Sequence, residues 1–514
     1  MIRESVRPGL PLGTGPFRLK QPGNFSLLRE RLRAAGFTEE AVGEVLEGKS
    51  DRNIDVACAI RRTAQASPFH TLLRLFVLGM AVTVESAQAA LSEEGVNCAL
   101  ESGLLVNVAD GIRARACLRP WREFFLLSDF LPPAGEPLPA DFVMSGISAS
   151  SISLARLTIR KEVGTALDLG TGAGIHALLA ASHAREVVAT DTNKRALNFA
   201  LMNTRLNGIK NVSFAEGSFF EPVADQKFDL IVSNPPFTIS PPSPLLFQNA
   251  GLGGDKVSEL IVRESPAHLC EGGSAVALIS WHHETEKDWA SRPCAWVEGS
   301  GCDLWLLRAT SSDPIDYAAN SLRQTERMGS LRYSEFLDKW VEFYREQGFV
   351  RLALGAAVLR KRSSAKNWIH CEDLSGAALR RDADEQIQRI FAAEDFLANL
   401  SDEAELLHAR VTIHPAHVLE QTLVAGEDGW ISQSLVLTPT DGIEHRAAID
   451  TRVLIFLPRC DGTRTVRELI SDVSQHDGID FAAAAAIGLP LVRRLLRAGY
   501  LVVNEQELRR EQDG

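Results

Sequence analysis

A chain of 514 residues is longer than one hydrophobic core sustains, and about three domains are expected. With 45% hydrophobic and 23% charged residues the composition is that of a globular protein, and a net charge of -12 supplies no overall positive field to draw a polyanion. No apolar core of signal-peptide length follows Met1 and no run of ~18 apolar residues occurs, so a cytoplasmic protein without a membrane span is expected.

Residues 1–24 are rich in glycine and proline and read as irregular surface chain. From Phe25 apolar residues return at helical spacing, at Leu27, Leu28 and Leu32, and again after Pro68 at Phe69, Leu72, Leu73, Phe76 and Val77. Helices over 84–91 and 93–102 precede a short hairpin, 104–108 and 112–116, turned at Asp110-Gly111. Helices followed by a hairpin predict a winged-helix-like N-terminal domain over 1–140, closed by a proline-rich linker at 132–137. Its helices carry Glu85, Gln88, Glu93 and Glu94 where a groove-reading helix needs cations, which favours a structural or substrate-gripping role over reading DNA.

Strands then alternate with helices: strands at 165–169, 186–190, 211–216, 228–233 and 274–280, helices at 174–183, 193–206 and 255–269. Further strands at 303–308 and 350–359 surround a helix at 333–347. This alternation predicts an α/β fold, a doubly wound Rossmann-like sheet over 141–362. Beyond it, a helix at 381–400, strands at 409–413 and 432–437, and a helix, helix, strand succession from Asp461 to Val503 predict a C-terminal α+β domain over 363–514 with a winged-helix-like end. The eight cysteines lack any Cys-x-x-Cys spacing, which points to buried free thiols rather than disulfides or a metal site.

The chemistry concentrates at the ends of the predicted parallel strands. In Asp168-Leu169-Gly170-Thr171-Gly172-Ala173-Gly174 the glycines let the chain turn off the first strand and approach a ligand ahead of a helix. The third glycine falls one residue earlier than in the dinucleotide pattern, Ile175 taking its place, and this spacing favours S-adenosylmethionine over a dehydrogenase cofactor. Asp191, followed by Thr192, ends the second strand where an acid is needed for ribose hydroxyls. Ser218 and Phe219 follow the third strand, at the edge expected to border the adenine. Asn234-Pro235-Pro236-Phe237 ends the fourth: the prolines remove donors, leaving the Asn234 side-chain carbonyl and the Pro235 carbonyl to hold an NH2 group, with Phe237 to stack on a flat substrate. Asn234 also borders the expected cofactor. The adjacent His282 and His283 point to opposite faces of an extended chain and do not suggest a metal.

The glycine loop and the Asn-Pro-Pro-Phe sequence make residues 143–280 resemble the class I S-adenosylmethionine-dependent methyltransferases with an Asn-Pro-Pro-aromatic motif, a group that includes base N-methyltransferases and release-factor glutamine methyltransferases. Residues 217–222 and Gly251-Leu252-Gly253-Gly254-Asp255 resemble loops of the glutamine-modifying and ribosomal-RNA branches. The resemblance implies S-adenosylmethionine as cofactor and a planar nitrogen as acceptor. The acceptor itself is left open between a protein or peptide, a nucleic-acid base and a metabolite. A non-catalytic cofactor-binding protein is the reading that intact Asp168, Asp191 and Asn234 argue against.

Overall fold

The computed structural model describes residues 16–17, 25–47, 54–132, 136–248, 251–363, 366–374, 379, 381–426, 429–444, 446–449 and 451–504. The irregular start and the middle of the proline-rich linker fall largely outside the described residues. By its contacts the chain divides into two compact units: Met1–Ala155 with Arg160–Asp373, and Arg156–Ile159 with Leu374–Gly514.

The first unit begins with helices α1 (Phe25–Ala34), α2 (Glu39–Leu46), α3 (Val56–Arg62) and α4 (Pro68–Leu72), the last running into a π-helical turn at Leu73–Val77. Helices α5 (Val84–Leu91) and α6 (Glu93–Glu101) follow, each opened by a hydroxyl that accepts from a backbone N–H of its first turn, Thr83 for α5 and Ser92 for α6. The hairpin of β1 (Leu105–Val108) and β2 (Gly111–Ala114) gains a third bridge from Val82 to Ile112. A second hairpin, β3 (Cys117–Trp121) with β4 (Phe124–Ser128), was not foreseen, because almost every position in it is buried and no polar-apolar alternation marks it.

Helix α7 (Ala149–Leu157) leads into β5 (Val163–Leu169), α8 (Ile175–Ala180), β6 (Ala184–Asp191), α9 (Lys194–Asn207), β7 (Val212–Glu216) and β8 (Phe228–Ser233). Then come α10 (Lys256–Glu264), β9 (Leu269–His283), α11 (Ser291–Val297), β10 (Cys302–Ser312), α12 (Pro314–Leu322), α13 (Leu331–Gln347), β11 (Arg351–Lys361) and β12 (Ile369–Asp373). One eight-stranded sheet results, in the order β12-β10-β11-β9-β8-β5-β6-β7. Strands β5 to β9 pair in parallel, and β11 is inserted antiparallel between β9 and β10. Two helices, α11 and α12, and the edge strand β12 add to the expected elements, and β9 is far longer than the span 274–280.

The registers align the strand ends. Leu169 sits opposite Thr190 and Ser233, Asp191 opposite Glu216, and Ser233 opposite Ala277. Strand β9 runs on to His283, where β11 starts opposite it at Arg351, and β10 ends at Ser312 opposite Leu352. The loops after β5, β6, β7 and β8, and the α12–α13 connection, therefore all leave the sheet at the edge where open α/β sheets bind ligands.

The N-terminal helices share their core with this sheet's helix α9. Phe17, Leu28, Leu32 and Leu72 are buried in one cluster with Ala196, Phe199, Met202 and Leu206. Asn203 and Asn207, one turn apart on α9, serve β4 as a missing strand would. The Asn203 amide oxygen accepts from Leu127 N–H at 2.8 Å and its NH2 donates to Leu127 O at 3.1 Å. Asn207 does the same for Phe125, at 2.9 and 2.8 Å.

The second unit contains α14 (Asp384–Asn399), α15 (Glu403–Leu406), β13 (Arg410–Ile413), β14 (His417–Gly426), β15 (Gly429–Pro439), β16 (Ala447–Ile449), α16 (Thr451–Phe456), β17 (Asp461–Thr465), α17 (Val466–Asp477), α18 (Phe481–Arg497) and β18 (Leu501–Val503). Its sheets are ordered β17-β13-β18 and β14-β15-β16. The segment from Asp461, expected to be helical at once, first pairs as β17 with β13. The helix starts only at the capping box of Thr465 and Glu468.

Candidate active site

Asp168 closes the glycine loop from beneath. It is 1% exposed, and its Oδ2 accepts from the Thr171 hydroxyl at 2.6 Å and from the Ala177 N–H at 2.8 Å. Its Oδ1 is buried without a hydrogen-bond partner, and burial pushes the carboxyl up to about 7. Gly170, Gly172 and Gly174 all have positive φ, at 76, 55 and 89 degrees. A side chain at Gly174 would press its Cβ to 3.0 Å from the Cβ of Ala200 on α9. At Gly170 and Gly172 nothing lies within 4 Å of such a Cβ, so the outer side of the loop is open. The third glycine therefore serves helix packing and the first two leave room for a ligand.

Asp191 is tied into the same loop. Its Oδ2 accepts from the Gly172 N–H at 2.8 Å and its Oδ1 from the Asn193 N–H at 2.8 Å. Burial raises its pKa, opposed by these backbone donors and by that of Thr192. Three backbone donors on a carboxylate with about four lone-pair sites leave room for one hydroxyl donor. Thr192 itself is exposed. The next loop joins in through Gly217, whose N–H donates to Asp191 O at 3.2 Å. Ser218 donates its backbone N–H to Glu221 Oε2 at 3.3 Å, and Phe219 is one of the few non-glycine residues with positive φ, 45 degrees.

Asn234 stands half-buried at the end of β8, immediately after the buried Ser233, whose hydroxyl donates to Leu169 O at 2.9 Å. Its side-chain NH2 donates to Ser151 Oγ at 3.1 Å and to Ser150 Oγ at 3.5 Å, leaving Oδ1 as the free acceptor. The serines come from the start of α7, where Ser148 Oγ accepts from Ser151 N–H. Pro235 O accepts from the Phe237 N–H at 2.7 Å, which occupies one of its two lone pairs and makes a tight turn of the motif. Phe237 is half-buried.

Beyond the motif, the chain is held by side chains that no sequence signal marked. Ser280 Oγ donates to Phe237 O. Ile239 donates its N–H to Tyr317 Oη at 3.1 Å, and its carbonyl accepts from Tyr344 Oη at 2.6 Å.

Trp281 is fully buried and donates to Trp289 O, so it packs the core. The expectation of buried thiols changes. Of the eight thiols only Cys98, Cys117, Cys302 and Cys460 are buried, whereas Cys58 and Cys371 are exposed. The sulfurs of Cys294 and Cys371 lie 3.4 Å apart. Asp255, at the end of the glycine-rich 251–255 loop, is buried in an ion pair with Arg292. Among the described residues no group of three or more His, Cys, Asp or Glu side chains is placed to hold a metal, and no helix is long and apolar enough to cross a membrane.

Comparison with known proteins matches residues 142–288 to the family described as "Methyltransferase small domain". Residues 34–115 and 388–503 match domains of unknown function, DUF7059 and DUF7782. A release factor glutamine methyltransferase of Xylella fastidiosa (strain Temecula1) is 36% identical over 129 residues, covering 22% of this chain and 46% of the relative. A ribosomal protein uL3 glutamine methyltransferase of Bradyrhizobium diazoefficiens is 32% identical over 160 residues, covering 28% and 50%. The release factor glutamine methyltransferase of Escherichia coli (strain K12) is 32% identical over 142 residues, covering 27% and 49%. The chain thus spans about half the length of the curated relatives it matches. Among solved structures, a methyltransferase from Pyrococcus furiosus aligns at 17% identity with a TM-score of 0.28, over 46% of this chain and 89% of that one. Residues 142–288, with their glycine loop, Asp191 and Asn-Pro-Pro-Phe turn on one sheet edge, are a methyltransferase small domain of the class I, S-adenosylmethionine-dependent kind.

Proposed function

We propose that this chain is an S-adenosylmethionine-dependent N-methyltransferase whose acceptor is a side-chain amide nitrogen of a protein. The orientation of Asn234 supports this reading most directly: both amide hydrogens face the serines of α7, so the carbonyl oxygen is the group left for a substrate NH2. An acceptor NH2 also needs a second oxygen, and the remaining lone pair of Pro235 O supplies it. The protein acceptor is favoured by the glutamine methyltransferases among the relatives and by the acidic chain.

The residues fit the cofactor. The outer side of Gly170 and Gly172 is open, and Asp191 retains acceptor capacity for a ribose hydroxyl. When bound, S-adenosylmethionine supplies an electrophilic methyl group on a positively charged sulfur. Asp168 and Asp191 hold the loop that receives it, while Asn234 and Pro235 take hydrogen bonds from the acceptor NH2. Those two bonds draw electron density onto the nitrogen, turn its lone pair out of conjugation, and fix it for in-line attack. An amide nitrogen is a weak nucleophile, so orientation by fixed carbonyls contributes more than any base. The nitrogen sheds a proton after the methyl group has been transferred.

The test is transfer of radiolabelled methyl from S-adenosylmethionine into a fractionated cell extract, scored for label in protein, RNA and small molecules. Label in protein, recovered as N-methylglutamine after digestion, is expected. Label confined to RNA or small molecules overturns the acceptor assignment. Asn234→Ala should lower turnover by about 10²- to 10³-fold while S-adenosylmethionine binding, followed by calorimetry, changes less than about threefold.

A further inference from the structure

The Asn-Pro-Pro-Phe turn does not hold itself in place. Its exit at Phe237 and Ile239 meets three hydroxyls from β9, α12 and α13, and their donor directions are settled by counting protons. Phe237 O can only accept, so Ser280 uses its one proton there. Ile239 N–H can only donate, so Tyr317 Oη accepts from it at 3.1 Å and keeps its own proton. Tyr317 and Ser280 thus fasten the exit at two points, one taking the Ile239 N–H and the other donating to the Phe237 carbonyl. Tyr344 closes the other side by donating to Ile239 O at 2.6 Å.

We propose that Tyr317, Ser280 and Tyr344 are positioning residues that hold residues 234–239 in the geometry that presents the Asn234 and Pro235 oxygens to the acceptor. Both tyrosines lie past residue 288, outside the methyltransferase match, and they come from helices inserted between β10 and β11. The proposal therefore assigns the extension at 289–373 a direct part in building the acceptor site of the function proposed above. Ile239 is fully buried, Tyr344 is 0% and Tyr317 3% exposed, and the two rings pack edge-to-face at 6.1 Å. Water cannot replace a lost hydroxyl there, so each missing bond leaves a buried backbone group unpaired. Burial also raises the Tyr317 phenol to about 12, which keeps it neutral across the neutral range. A sheet-end loop with two consecutive prolines has few backbone donors of its own to lock it, and the tyrosines supply what the prolines remove.

This inference rests on the N-methyl transfer reading, and two measurements separate their failures. Tyr317→Phe and Tyr344→Phe remove one oxygen each. Trp340→Phe is the control: it lies in the same buried cluster, edge-on to Tyr344, and among the described residues makes no hydrogen bond to the 237–239 backbone. Hydrogen exchange of the peptide spanning 234–241 in the full-length protein should accelerate by about tenfold or more in both tyrosine variants and stay at the wild-type rate in Trp340→Phe. With the labelled acceptor, kcat should fall by about tenfold or more in the tyrosine variants, with S-adenosylmethionine Kd within about twofold of wild type and kcat retained in Trp340→Phe. Unchanged exchange in both tyrosine variants overturns the proposal, as does a kcat loss no greater than the control's. If wild-type protein transfers no methyl group, the function reading fails and the exchange measurement decides the clamp by itself.

Discussion

The side of the sheet made by β5, β6 and β7 and the side made by β8 to β12 end on the same edge but are assembled in different ways. The first side is written locally. Asp168 is bound by Thr171 and Ala177, three and nine residues away, and Asp191 by Gly172 and Asn193. The second side is held across long stretches of chain: Ile239 reaches Tyr317 and Tyr344 over sequence separations of 78 and 105 residues. The difference teaches that the glycine-loop side, proposed to take the cofactor, is a compact motif of neighbouring residues, whereas the side proposed to hold the acceptor is fastened by helices that lie outside the methyltransferase match.

Substitutions on the cofactor side sharpen the contrast with Asn234→Ala, whose loss falls on turnover. Asp191→Ala should weaken S-adenosylmethionine binding by about 10- to 100-fold, since it removes an acidic acceptor and frees the Gly172 and Asn193 amides. Turnover at saturating cofactor should stay within a few-fold of wild type, and titration calorimetry with steady-state kinetics checks both. A turnover loss matching that of Asn234→Ala would erase the distinction between the two sides.

Gly174→Ala should cost about 1–3 kcal/mol of stability, read as a lowered Tm. Positive φ and a Cβ 3.0 Å from the Cβ of Ala200 both oppose the new methyl group. Gly170→Ala meets no neighbour and carries the φ cost alone, so its Tm should fall less while it narrows the cofactor space. Equal Tm losses at the two positions would remove the helix-packing role from Gly174.

The smallest effect is one of pH. Asp168 has a folded-state pKa of about 7 against 3.8 in an open chain, because burial disfavours its charged form. Its contribution to stability is fully present below 3.8 and is lost as pH rises through 7. Relative to Asp168→Asn, which cannot titrate, the wild-type protein should lose about 1–3 kcal/mol between pH 5 and pH 8. Parallel Tm profiles of the two proteins over that range would place the Asp168 carboxyl in a solvated setting instead.

Much of the cofactor side was legible before the structure. Glycines at 170, 172 and 174, an acid at 191 and the turn at 234–237 are short-range patterns whose residue types follow from backbone geometry and hydrogen-bond capacity. The parallel strands were legible too, as apolar runs between helical segments. The hairpin β3–β4 escaped because burial on both faces erases alternation, and β14 escaped because its residues are mostly exposed, which erases it from the other direction. Ser280, Tyr317 and Tyr344 escaped for a different reason: a hydroxyl is ordinary anywhere in a sequence, and only its partner gives it meaning.

The sequence by itself determined where the chain turns tightly, which carboxylates face the loop after β5, and that an asparagine and a proline carbonyl stand together at a strand end. These depend on φ, on missing N–H groups and on spacings of a few residues, all of which are properties of neighbouring residues. Tertiary structure alone decided which way the Asn234 amide faces and what holds the chain leaving it. Those outcomes depend on buried hydrogen bonds between segments some 80 to 105 residues apart, and a buried N–H or carbonyl takes whichever partner the packed core brings within 3 Å.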